Sequence, residues 1–104
     1  MTFKKDKKQV IGEDMTDEQI QFFLQYQPHQ KEFADFLILL KAYRGLRAED
    51  FRRFLVFFVA SQKDLNALGP EGKTILDIIR MHRNAGEYIK MLESLGAQGS
   101  AAGL

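Results

Sequence analysis

The chain has 104 residues, enough for one small domain, and 45% of them are hydrophobic, enough for a packed core. Its formal net charge is +1, so no global charge draws it to nucleic acid or to an acidic partner. It has no Cys and two His, which removes disulfides, thiolate chemistry and zinc–thiolate sites and fits a reducing compartment. No apolar run approaches the ~20 residues of a membrane span. The opening stretch MTFKKDKKQV has no apolar segment behind its charges, so no secretory leader is expected and the cytoplasm is the expected location.

Residues 1–14 read as a disordered basic tail. Lys4, Lys5, Lys7 and Lys8 cluster around Asp6, and the pattern suits a solubilising tail better than a nucleic-acid arm. Residues 15–97 read as a single helical domain, and the small, polar residues 98–104 as a second disordered tail. Order should begin at Thr16, an N-cap with Gln19 three residues on, the spacing of a capping box. Met15 and Ile20 can form a hydrophobic staple, and Asp17 and Glu18 suit the positive end of the helix dipole. Ile20, Phe23 and Leu24 give one apolar stripe, with Phe22 and Tyr26 off it. Pro28 ends this helix near Tyr26.

A second helix is expected from Gln30 to Tyr43, with Phe33, Phe36, Leu37, Leu40 and Tyr43 at helical spacing. Ile38 and Leu39 widen the stripe, so the helix should be covered on more than one side. Gly45 is the expected stop. A third helix is expected from Ala48 to Ser61. Phe51, Phe54, Leu55, Phe58 and Val59 form one face, and Val56 and Phe57 fill the other, so it should lie in the middle of the fold. FLVFFVA would also suit a buried strand. Helix is preferred because the charges of AEDFRR precede it at helical spacing with no turn between. After the loop QKDLNALGPEG, Thr74 caps a fourth helix with Asp77 reaching back. Ile75, Ile78, Ile79 and His82 share its side. Asn84 caps a fifth with Glu87 three residues on, and Tyr88, Met91, Leu92 and Leu95 make its apolar face. Gly96 stops it. The expected fold is all-α, with about five helices.

The stretch Ala67–Thr74 also fits a permissive phosphate-loop pattern ending in Gly72, Lys73 and Thr74, and a nucleotide-binding protein is the alternative reading. A phosphate loop needs a strand ending at its first residue, converging glycine N–H groups and a helix opening at the Lys-Thr. Only the last is visible. The polar SQKDLN separates the loop from the nearest apolar segment, and Ala67 stands where Gly is usual. A turn explains the same residues: Gly72 for an unusual backbone angle, Lys73 exposed, Thr74 as a cap.

The segment DLNALGPEGKTILDIIRMHRNAGEYIKMLESLGA resembles an ankyrin repeat, with Asn66, Gly72, Thr74, Leu76, Ile89, Leu92, Gly96 and Ala97 in the places of that pattern. Upstream, FADFLILLKAYRGLRAEDFRRFLVFFVASQKDLN is similar to the helical hairpin of a preceding, degenerate repeat. The resemblance implies two antiparallel helical hairpins stacked side by side, with the helix from Thr16 as a cap on the open side. It also implies binding of another protein through the loop and the inner helices. The residues implied are Leu68, Pro70, Glu71 and Lys73 on the loop, and Arg80 and Met81 at the end of the fourth helix.

Arg44, Arg47, Arg80, His82 and Arg83 lie at two helix–helix turns that stacking brings to one edge. They form either a basic patch for an acidic partner or phosphate, or solvated turn charge. No catalytic, metal or cofactor site is expected, because acids occur singly and no His or Ser has a partner at working distance in sequence. A weak nucleic-acid-binding regulator is a further alternative, but the third helix is too apolar for a recognition helix and the fifth carries only Lys90. The nine Phe exceed what two hairpins are expected to hide, which points to an interface or to self-association. The expected function is a small, non-catalytic adaptor or regulator.

Overall fold

The computed structural model describes residues 15–99, and the described residues contain helices and turns and no strand. The lysine-rich tail of residues 1–14 lies outside them. α1 spans Asp17–Phe22 and runs into a 3-10 turn, Phe23–Gln25. Its capping box is complete: the Gln19 N–H donates to Thr16 Oγ1 at 3.1 Å, and the Thr16 N–H donates to Gln19 Oε1 at 2.9 Å. α2 spans Ala34–Gly45, preceded by a 3-10 turn at Lys31–Phe33 rather than starting as α-helix at Gln30. α3 spans Ala48–Ala60, α4 Ile75–Ile79 and α5 Gly86–Ser94.

Two expected helix ends differ. Gly45 is the last helical residue rather than a left-handed stop, and its missing side chain serves packing: a Cβ there would lie 3.2 Å from the Phe23 ring. Asn84 does not cap α5. It takes φ 59, a left-handed conformation that Asn tolerates, and α5 starts after Ala85 with no side-chain cap. The compact reversal from α4 needs that backbone shape more than it needs a cap. Gly72 and Gly96 do take positive φ, 75 and 99.

α2 and α3 are joined only by Leu46 and Arg47 and pack on each other, as do α4 and α5. α2 also packs on α4, and α3 on α5, so two hairpins lie side by side. α1 covers α3 on a third side. A six-residue helix is not stable alone. Ile20 is fully buried, and Arg53 of α3 donates to the Met15 carbonyl at 2.8 Å and to Asp17 at 2.6 Å. Asp50, 2% exposed, lies 3.4 Å from both Arg53 and Arg47 and near the positive end of the α3 dipole.

One core runs the length of the fold, from Ile20 through Leu39, Leu55 and Ile75 to Leu92. Phe51, Phe54 and Phe58 follow one another along α3 at 5.6–6.0 Å, with Phe23 edge-on against the middle ring, Phe54, and Tyr88 against Phe51. α3 is not buried all round, however: Val56 is 59% and Val59 44% exposed. Its three packed sides leave one face open, because α1, α2 and α5 do not close a full ring around it.

Candidate functional site

The loop before α4 is a closed turn. The Gly72 N–H donates to the Gly69 carbonyl at 2.9 Å, and the Gly69 N–H donates to the Lys73 carbonyl at 2.9 Å. Pro70 occupies the second turn position, where its fixed φ is favoured. Gly69 sits against the Phe36 ring, and a Cβ there would lie 2.5 Å from it. Thr74 accepts from the Asp77 N–H at 3.2 Å and donates its hydroxyl to the Gln98 carbonyl at 2.8 Å. Gln98, placed by sequence in the C-terminal tail, also donates its N–H to Asn66 Oδ1 at 2.7 Å. The residues of the phosphate-loop pattern are thus engaged in holding the loop. The Gly69 and Gly72 N–H groups point at carbonyls of the turn rather than converging on one point, and no strand leads into it.

The closed turn faces α2 across a cleft of about 270 Å³. Leu37, Leu40 and Arg44 form the α2 wall, and Pro70, Glu71 and Lys73 form the loop wall. Three of the residues that the resemblance implied therefore share one concavity. Lys73 is half-buried rather than exposed. The same Leu37, Leu40 and Arg44 also line a second bay, of about 580 Å³, on the other side of α2, where Tyr26 and Phe23 form the opposite wall. There Lys41 Nζ lies 4.6 Å from the Tyr26 ring centroid, in a cation–π contact.

The other expected site residues fall elsewhere. Leu68 lies on a groove facing the 3-10 turn before α2. Arg80 pairs with Glu93 of α5 at 3.1 Å, and Met81 is 71% exposed in the turn beyond. The two helix–helix turns do come to one edge. Tyr43 bonds His82 Nδ1 at 2.8 Å and stacks on its ring, and the Tyr88 hydroxyl donates to the Leu46 carbonyl at 2.8 Å. His82 therefore stands on the α2 side of this edge and is exposed rather than continuing the buried side of α4. Arg47 and Arg80 each face an acid, which leaves Arg44 and Arg83 as the arginines of this edge with no ion pair among the described residues. Burial pushes the Tyr88 phenol above its usual value of 10.0, and nearby Tyr43 and Glu87 add to the effect.

The aromatic surplus expected from sequence is mostly hidden. Phe36, Phe51, Phe54 and Phe58 are buried, Phe23, Phe33 and Phe57 are half-buried, and Phe22 is exposed. Leu37, Leu40 and Lys41 were not among the expected site residues, since periodicity assigns the leucines to the core. The signal available was the width of the α2 stripe, more than one buried face uses. No group of three or more His, Asp or Glu close enough to hold a metal occurs among the described residues, and none of their helices is long and apolar enough to cross a membrane. No family model, curated protein or solved structure matches the chain.

Proposed function

We propose that this chain is a small, non-catalytic protein-binding module that acts in the cytoplasm. It is built as two degenerate ankyrin-like repeats under a capping helix. The observation that carries the reading is the cleft between α2 and the closed turn, where Pro70, Glu71 and Lys73 face Leu37, Leu40 and Arg44. Two features make it suited to binding. The turn is rigid, closed by two backbone hydrogen bonds, so little ordering opposes association. Its walls alternate apolar and charged groups, which give contact area and orientation together.

The test is affinity capture from the native host. Wild type is compared with a loop variant carrying Leu68→Ala, Glu71→Ala and Lys73→Ala, three positions outside the buried core. A partner held by wild type and lost by the variant, with unchanged circular dichroism, is the expected outcome. Equal capture by both moves the binding face off the loop. A chain that captures nothing and turns over a metabolite removes the module reading.

A further inference from the structure

The cleft gathers several cations beside an apolar floor, with no carboxylate in ion-pair reach of them among the described residues. Arg47, Arg53 and Arg80 each meet a carboxylate within 3.4 Å. Arg44 meets none among the described residues, although it lines both bays of α2. Lys73 likewise has no ion pair there, and the Lys41 charge rests on the Tyr26 ring. Three cations therefore border the half-buried Leu37 and Leu40, against a single acid, Glu71. A net positive rim over an apolar floor repels basic segments and attracts acidic ones.

The floor adds a shape requirement. The two bays, about 580 and 270 Å³, are separated by one ridge made of Leu37, Leu40 and Arg44. A phosphate group or a nucleic-acid backbone would satisfy the cations and leave the leucines bare. A ligand that uses both must carry apolar groups on one face and negative charge beside them. An amphipathic helical turn does so, with anchors three or four residues apart.

We propose, resting on the protein-binding reading, that the partner presents a short acidic amphipathic segment. Two large apolar side chains at i and i+3 or i+4 enter the two bays on either side of the ridge. Flanking carboxylates meet Arg44, Lys41 and Lys73. The attraction is strongest at low salt, because the rim charges are solvent-exposed or half-exposed.

Two synthetic helical peptides test this on the full chain by amide chemical shifts. One carries a leucine pair four residues apart flanked by glutamates, and the other has lysine at every glutamate. The acidic peptide is expected to cause saturable shifts in residues 37–44 and 69–73. Arg44→Glu is expected to weaken it about tenfold or more, as Lys73→Glu does if the first variant is poorly folded. Equal binding of the lysine peptide overturns the proposal, as do shifts centred on Val56 and Val59 or no shifts at all. If those results accompany a loop-dependent partner in the capture experiment, the acidic chemistry is wrong and the module reading stands. If capture fails too, both fall.

Discussion

Tyr88 joins packing to polarity at a single side chain. Its ring lies 5.3 Å from Phe51 and 5.0 Å from Tyr43, and its hydroxyl reaches the Leu46 carbonyl in the link between α2 and α3. Tyr88→Phe keeps the ring and removes the hydrogen bond, so the expected loss at neutral pH is about 1 kcal/mol. The pH dependence follows from the raised phenol. The folded state holds the Tyr88 proton to higher pH than the unfolded chain does. The stability linked to that proton is therefore complete below the unfolded value, 10.0, and is lost as pH rises through it toward the folded value. Wild type should lose its advantage over Tyr88→Phe on going from about pH 8 to about pH 11. Urea midpoints of both proteins at several pH values measure this. A constant gap across that range would show that the phenol is as free to ionise in the folded state as in the unfolded one.

At the scale of elements, the closed turn between α3 and α4 depends on one missing side chain. Phe36 is 5% exposed, and a Cβ on Gly69 would lie 2.5 Å from its ring. The turn cannot withdraw freely, because the Gly69 N–H and carbonyl are both bonded within it. Gly69→Ala should cost about 1–3 kcal/mol as the ring or the turn shifts. Gly86→Ala is the control: nothing lies within 4 Å of its added Cβ, so no loss is expected. Chemical denaturation of the pair separates the two sites, and equal midpoints would mean that Phe36 yields without cost. Such tertiary approaches were not legible in the sequence, where Gly69 reads only as a turn residue. The local signals were legible: the caps at Thr16 and Thr74 satisfy their own helices within three residues, so sequence spacing contains the whole interaction. Asn84 failed as a cap because cap and left-handed turn residue share one composition, and the reversal between α4 and α5 decides between them. Leu37 and Leu40 carry the same ambiguity, since helical spacing cannot tell a core leucine from one in the wall of a cleft.

Over the whole molecule, α2 pairs with α3 and α4 with α5, and the two hairpins leave part of α3 uncovered. α1 packs on α3 there and is continuous with the rest: Ile20 in α1 and Leu92 in α5 are both fully buried in one cluster. The aromatic line from Phe23 through Phe54 and Phe51 to Tyr88 crosses the same route. With no boundary in the core, α1 has no separate unit to belong to, and the domain should unfold in a single transition. Ile20→Ala and Leu92→Ala should each cost about 2–5 kcal/mol, a large share of a small domain's stability. Both should lower the urea midpoint and leave the slope unchanged, because the same surface is exposed on unfolding in each variant. The contrary case is specific to α1, which is six residues long and docked by Ile20 and Arg53. If it detaches first, Ile20→Ala will flatten the slope and speed hydrogen exchange in residues 17–25, while Leu92→Ala will not. That result would make α1 a separable cover for α3 rather than part of the one core, and Phe54, which packs edge-on against Phe23, would then be exposed whenever it opens.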